Sequence, residues 1–332
     1  MVRRKVALIV LAVLAVTVVI GAVATGPRHA LIAQDIPVGE EVMLASQGTP
    51  LAASLLRPET AAGRVPGVVM IVGSGSYSYR TSWKPGEFPI WKSISEAFLA
   101  KGWAVLLLEK KGVNRSGGHW ETQTFHDRAD DAIAGVRYLR SRPDIDPARV
   151  GVCGHSQGGW IAQLAAAEDP EEIAFVVSLA GPNVSVKRQI MDDLENEWRC
   201  AGLDEDKIAS KSLRLQTRLD AYGTLSSVVR IGALSRILDY DPRAENVAAR
   251  IRCPILAVYG EYDTLVLPET NRRLLEEGLA TGGNTRATII VIPKGGHGLL
   301  RKSQRCPEHF AKTPPLAPEF FQAVAAWDPY AG

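Results

Sequence analysis

The chain has 332 residues, of which 46% are hydrophobic and 22% are charged, and its formal net charge is +2. This length and composition suffice for one large α/β domain or two small ones, each with a sizeable core. Apart from Arg3, Arg4 and Lys5, the remaining 35 of the 38 basic residues face 36 acidic ones, so nothing indicates a nucleic-acid partner.

The first 25 residues are typical of a targeting segment. Arg3, Arg4 and Lys5 precede an uncharged apolar run at residues 6–24, and residues 22–24 have the small-x-small form of a cleavage site. The run is long for a signal peptide and about long enough to cross a bilayer. Both a cleaved export signal and a retained membrane anchor fit. In either case we expect the rest of the chain outside the cytoplasm, because the basic end stays inside.

Strand and helix patterns alternate from residue 41 onward. Residues 41–46 and 51–57 predict an antiparallel hairpin around Gly48. Continuous apolar runs, typical of buried parallel strands, occupy residues 67–72, 103–108, 173–179, 255–259 and 288–292. Helical patterns cover residues 90–99, 125–140, 272–279 and 318–327. The alternation predicts a mostly parallel central sheet flanked by helices.

Residues 183–250 interrupt this alternation. They are charged and helix-patterned, without a convincing strand, and too long for a loop. We interpret them as a helical cap over the carboxyl ends of the strands, where open α/β sheets bind ligands. Apolar side chains such as Leu194 and Leu213 are expected to face the site. The core would then comprise residues 36–182 and 251–332.

Residues 150–167 predict a strand, a tight turn and a helix, with Ser156 at the apex. The segment Gly154-His155-Ser156-Gln157-Gly158 has the G-x-S-x-G pattern of a nucleophile elbow. The glycines allow the strand and the helix to approach closely, and the strained turn exposes the serine hydroxyl. The helix N-terminus then directs backbone N–H groups toward the reacting carbonyl.

A base and an acid for this serine follow in the expected chain order. His297 lies in a glycine-rich loop directly after the strand pattern at 288–292, whereas the alternative, His309, lies in a polar segment. Asp263 follows the strand pattern at 255–259 and is favoured over Glu261. A carboxylate there could hold the imidazole in the correct tautomer.

The donors for an oxyanion come from two segments. One is the backbone N–H of Gln157, and the second should come from the loop after residues 67–72, where Ser74 and Gly75 are the candidates.

The cysteines do not indicate a metal site. Cys153 and Cys253 adjoin apolar strands and are interpreted as core residues, whereas Cys200 and Cys306 could pair in an oxidising compartment. No cysteine has metal-ligand spacing, and we expect no metal and no cofactor.

These segments together resemble the α/β-hydrolase superfamily, and within it the branch of exported serine esterases and dienelactone-hydrolase-like proteins. The motifs that carry the resemblance span most of residues 40–300 and are GVVMIVGSGS, LLLEKKGVNRSGG, RPDIDPARVGVCGHSQGG, CPILAVYGEYD and KGGHG. The resemblance implies the α/β-hydrolase fold. It also implies a nucleophile, a base, an orienting acid and two oxyanion donors, which would be Ser156, His297, Asp263, Ser74 and Gln157.

The chain departs from the family pattern at two positions and in its nucleophile. Val72 stands where many relatives have histidine, and Lys111 stands where an arginine is usual, so bidentate pairing is lost there. Dienelactone hydrolases proper use a cysteine nucleophile rather than a serine. These differences leave a narrow substrate assignment open.

The sequence therefore predicts an exported serine hydrolase of carboxylesterase type, acting on small or medium esters through an acyl-enzyme on Ser156. The alternatives are a thioesterase or a small peptidase with the same triad, and a non-catalytic surface binding protein on a hydrolase fold. The expected partner is a small-molecule ester, with possible membrane association through residues 6–24. The oligomeric state cannot be inferred from the sequence.

Overall fold

The computed structural model describes residues 30–59, 63–230, 232–306 and 315–331. The predicted targeting segment and the alternative base His309 lie outside these residues. Within them, no helix combines the length and the apolar character needed to cross a membrane.

A single eight-stranded sheet forms the centre of the described structure, with strand order β1-β2-β4-β3-β5-β6-β7-β8. The hairpin β1/β2 and the pair β2/β4 are antiparallel, and the other neighbours are parallel. The predicted mostly parallel sheet is therefore confirmed. The strands are β1 (Glu40–Ser46), β2 (Thr49–Leu56), β3 (Val65–Ile71), β4 (Ala104–Leu108), β5 (Ile145–His155), β6 (Val176–Leu179), β7 (Ile255–Gly260) and β8 (Ala287–Ile292).

Helices flank this sheet and also fill the chain between β6 and β7. Those of the flanking layers are α1 (Ile90–Ala100), α2 (Phe125–Ser141), α3 (Gln157–Glu168), α8 (Pro268–Thr281) and α9 (Pro318–Ala326). Those between β6 and β7 are α4 (Val186–Cys200), α5 (Glu205–Val228), α6 (Leu234–Ile237) and α7 (Val247–Arg250). Two short 3-10 turns, at Tyr79–Trp83 and Trp120–Thr122, were not predicted.

The core has two parts, one on each face of the sheet. Along β3, the fully buried Val68 belongs to one part and the equally buried Val69 to the other. Successive residues of a strand point to opposite faces. Helices α1 and α9 pack on the Val68 side, and α2 and α3 pack on the Val69 side. Because both faces are covered, the central strands have continuous apolar runs rather than alternating ones.

One expectation about residues 183–250 is wrong. Leu213 is 67% exposed, although it was expected to face inward. Helix α5 buries the face that carries Ile208 and Leu219. At 3.6 residues per turn, Leu213 lies roughly 140° around the helix from Ile208, so its side chain points away from that face.

A disulfide joins Cys200, at the end of α4, to Cys306, in the segment that follows β8. The sequence separation is 106 residues. The two remaining cysteines, Cys153 and Cys253, are free and buried, as predicted. The bond therefore ties the helices between β6 and β7 to the C-terminal part of the chain.

Reduction of this disulfide should destabilise the protein. Closing a loop of about 100 residues restricts the unfolded chain, and loss of such a bond typically costs about 2–5 kcal/mol. We expect dithiothreitol to lower the midpoint of thermal unfolding, measured by circular dichroism. The Cys200→Ser variant should already show the lower midpoint and should not respond to dithiothreitol. An unchanged midpoint for the reduced wild-type protein would contradict the expectation.

Candidate active site

Ser156 occupies a strained turn between β5 and α3. Its backbone angles are φ 57° and ψ −125°, a combination that costs about 1–3 kcal/mol and persists only where the surroundings enforce it. A Cβ on Gly154 would overlap the backbone carbonyl of Gly158, and one on Gly158 would overlap the carbonyl of Ile71. Both glycines of the G-x-S-x-G pattern therefore stand at close backbone contacts.

Ser156, His297 and Asp263 form a continuous hydrogen-bonded chain. The Nε2 atom of His297 lies 2.8 Å from the Ser156 Oγ, and its Nδ1 lies 2.8 Å from the Asp263 Oδ2. A carboxylate can only accept, so Nδ1 carries the proton and Nε2 accepts from the serine hydroxyl. The structure thus brings the three predicted residues together.

Asp263 is fully buried and held in place by the backbone after β7. Its Oδ1 accepts the N–H groups of Leu265 and Val266, each at 2.9 Å, which leaves Oδ2 for His297. The alternative acid, Glu261, instead accepts the backbone N–H of Lys294 at 2.7 Å. Glu261 therefore connects the loops after β7 and β8 without pairing with the imidazole.

His155, the residue before the nucleophile, supports the loop that carries His297. Its Nε2–H donates to the backbone carbonyl of His297 at 2.7 Å, and the two ring centroids lie 4.9 Å apart. Burial, together with the neighbouring His297, lowers the pKa of His155 to about 3, so its ring is neutral. This contact was not predicted. The only signal for it in the sequence is the position of His155 beside Ser156.

The environment of His297 favours its protonated form. Burial alone would lower its pKa, but the charge and hydrogen bond of Asp263 and the charge of Asp193 raise it above the usual 6.5. Asp193 lies on α4, so the chain between β6 and β7 contributes a charge to the site. Burial and the nearby Glu197 raise the pKa of Asp193 itself.

The two predicted oxyanion segments lie near Ser156. Gln157 is the first residue of α3, and N–H groups in the first turn of a helix have no partner within it. Ser74 is exposed and follows Gly73, on which a Cβ would lie 3.7 Å from the Ser156 Cβ. Gln157 therefore adjoins the nucleophile, and the residue before Ser74 lies close to it; the oxyanion role of both segments stays a prediction.

Two buried cationic side chains hold these segments. Arg128 on α2 donates to the carbonyl of Val72 at 2.6 Å and to the side-chain oxygen of Gln157. Lys110, two residues after the end of β4, donates to the carbonyl of Gly75. Neither residue was predicted from the sequence. Arg128 adjoins the apolar face of its helix, and Lys110 lies two residues after an apolar strand.

A second polar cluster lies beneath the loop after β3. Glu109 accepts hydrogen bonds from Ser78 and Asn114, each at 2.6 Å, and lies 3.4 Å from Arg80. Burial outweighs these contacts and raises the pKa of Glu109 to about 7. Lys111 pairs with Asp131 at 3.1 Å.

Helix α4 also contacts the loop that carries Asp263. The Asn196 side chain donates to the carbonyl of Thr264 at 3.0 Å, and the Gln189 side chain donates to that of Leu265. Among the residues that the structure describes, no group of histidine, cysteine, aspartate and glutamate side chains could hold a metal ion.

The sequence of this chain is similar to a known family and to a mycobacterial protein. Residues 90–304 match the family described as serine aminopeptidase, S33. An uncharacterised protein of Mycobacterium tuberculosis is 23% identical over 262 residues, which cover 79% of this chain and 73% of that protein.

Two solved structures share the fold at low sequence identity. Est1E of Butyrivibrio proteoclasticus with bound ferulic acid aligns with a TM-score of 0.53 and 17% identity, over 86% of this chain and 96% of the other. Proline iminopeptidase of Mycobacterium smegmatis aligns with a TM-score of 0.54 and 13% identity, over 78% and 92%. The narrower resemblance to exported esterases and dienelactone-hydrolase-like proteins stays a prediction. The chain belongs to the serine aminopeptidase, S33 family and is a serine hydrolase with the α/β-hydrolase fold.

Proposed function

We propose that this serine hydrolase cleaves carboxylic esters through an acyl-enzyme on Ser156. The observation that carries the proposal is the chain of two 2.8 Å hydrogen bonds from Asp263 through His297 to the serine hydroxyl. His297 is the proposed base, and Asp263 holds its tautomer and stabilises the imidazolium. The backbone N–H groups of Ser74 and Gln157 are the proposed oxyanion donors.

The proposed reaction proceeds in two balanced halves. Ser156 Oγ attacks the acyl carbon while His297 Nε2 takes the hydroxyl proton, and the carbonyl electrons move onto the oxyanion. Collapse of this intermediate breaks the bond to the leaving oxygen, which receives the proton from His297 and departs as an alcohol. Water then attacks the acyl-enzyme by the same relay, releasing the acid and restoring Ser156.

Esters are the substrates that make the smallest demand on this machinery. An alcohol leaves more readily than an amine, so a triad able to cleave amides also cleaves esters of comparable shape. A peptidase is the second candidate, favoured by the acidic residues Asp193 and Glu197 on α4. Their carboxyl groups interact, and the charge of Asp193 also acts on His297. Such groups could bind the ammonium group of an aminoacyl substrate.

We also propose that the enzyme acts outside the cytoplasm. The basic residues 3–5 and the apolar run at 6–24 support export. The disulfide between Cys200 and Cys306 gives independent support, because such bonds persist mainly in oxidising compartments.

Ester hydrolysis should depend on the Ser156 hydroxyl. We expect Ser156→Ala to lower kcat/KM by about 10³-fold or more, because the variant loses only the nucleophile and keeps the fold.

A p-nitrophenyl ester series from acetate to palmitate should give its highest kcat/KM between acetate and hexanoate. A bounded pocket allows each added methylene to contribute about 0.8 kcal/mol only until it is full.

The exposed Ser141 provides a matched control, since Ser141→Ala should keep wild-type turnover. If Ser156→Ala retained more than a tenth of the wild-type activity, Ser156 would not be the nucleophile. A maximum at palmitate would contradict the short-chain preference. Thioester and aminoacyl p-nitroanilide substrates in the same assay distinguish an esterase from a thioesterase and from a peptidase.

The pH dependence should report the raised pKa of His297. The base must be neutral to accept a proton, so kcat/KM should fall as the pH falls through this pKa, with an acid limb above pH 6.5. Asp193→Asn removes one of the charges that raise the pKa and should move the limb to lower pH. Asp206→Asn, at an exposed position on α5, is the control and should leave it in place. An acid limb below pH 6.5, or one that does not move in Asp193→Asn, would contradict this assignment.

A further inference from the structure

A small cavity lies beside the two proposed oxyanion segments. Its lining includes Gly75, Lys110, Arg128 and Gln157, together with Ala233 and Ile237 from the chain between β6 and β7. The cavity has a volume of about 40 Å³. One water molecule needs about 10–15 Å³ of such space, so there is room for a group of roughly three heavy atoms.

Two side chains of this lining, those of Lys110 and Arg128, are cationic and buried. The hydrogen-bond partners described above for them are neutral. Lys110 is 5% exposed and Arg128 is 8% exposed. Lys110 bonds to a backbone carbonyl, and Arg128 bonds to a backbone carbonyl and an amide oxygen. In the part of the chain that the structure describes, neither forms an ion pair with a carboxylate. A buried charge without an opposite charge beside it is costly to maintain.

The nearest carboxyl groups are engaged with other partners. Glu109 lies between Ser78, Asn114 and Arg80, and Asp131 bonds to Lys111 and Gln123. These carboxyl groups only partly compensate the positive charges of Lys110 and Arg128. Burial and the neighbouring Arg128 lower the pKa of Lys110 well below its usual value, and burial lowers that of Arg128 to about 10.

We propose that Lys110 and Arg128 form a subsite for a carboxylate carried by the substrate. The proposal rests on the proposed esterase function and names its substrate class: esters that bear a free carboxylate a few bonds from the reacting carbonyl. The space for three heavy atoms fits a carboxylate and is small for a phosphate group. The position beside Gly75 and Gln157 puts this negative charge next to the oxyanion segments.

The carboxylate could belong to the acyl part or to the alcohol part of the ester, and two substrate pairs distinguish these sources. For the acyl part, monoethyl succinate is compared with ethyl succinamate, in which a neutral amide replaces the carboxylate at nearly the same size. For the alcohol part, carboxymethyl butyrate is compared with carbamoylmethyl butyrate. Hydrolysis is followed by proton release.

In the wild-type enzyme, we expect the acid to exceed the amide in kcat/KM by at least tenfold in one of the pairs. Lys110→Met keeps an unbranched side chain, one atom shorter, and removes the charge. It should reduce that ratio by about 10- to 100-fold, the usual effect of losing a hydrogen bond to a charged group. Lys84→Met, at an exposed lysine, is the control and should keep the wild-type ratio. Ratios near or below one for both wild-type pairs, or an unchanged ratio in Lys110→Met, would overturn the subsite.

A binding measurement separates failure of the subsite from failure of the esterase function, and it requires no substitution at Lys110. Calorimetry on Ser156→Ala should give at least tenfold tighter binding for the acid than for the amide in the preferred pair. Selective binding without wild-type turnover of either pair would preserve the subsite and contradict the esterase function. Equal binding of acid and amide, or none of either, would overturn the subsite, and Lys110 and Arg128 would then only brace the loops.

Discussion

The close approach of three backbone segments around Ser156 is the constraint on which the site depends. The residues without a Cβ, Gly154 and Gly158, let the start of α3 come into contact with β5 and with the end of β3. This contact fixes the strained turn of Ser156 and sets the first N–H groups of α3 beside the loop after β3. A larger side chain at Gly154 would push the start of α3 away from β5, and one at Gly158 would push it away from the end of β3.

The charged groups near Ser156 act on different parts of the site according to their sign. Asp263 and Asp193 act on His297 and favour its protonated form. Lys110 and Arg128 instead contact the loop after β3 and the first residue of α3. A proton acceptor thus has negative neighbours, and a developing oxyanion would have positive ones. This polarity follows the direction in which charge moves during acyl transfer.

The sequence predicted the parts of the site that depend on local patterns. Ser156 was identifiable because strand, turn and helix signals surround a five-residue motif, and Asp263 and His297 because each directly follows an apolar strand run. The structure adds contacts between residues distant along the chain. Arg128 lies beside the apolar face of its helix, but no local pattern predicts that its side chain contacts Val72 and Gln157.

Other features also lay beyond local patterns. The pairing of Cys200 with Cys306 could be considered but not chosen from spacing alone. The wrong expectation for Leu213 has the same origin, because the packing of α5 decides which of two apolar faces is buried.

The central claim is that His297 and Asp263 activate Ser156 as a nucleophile. Labelling with a fluorophosphonate tests it most directly, since attack by the serine oxygen on phosphorus expels fluoride and leaves a stable adduct. Peptide mapping by mass spectrometry should find one adduct, on Ser156, and the labelling rate should fall strongly in His297→Ala. An adduct on another residue, the absence of any adduct, or an unchanged rate in His297→Ala would contradict the claim.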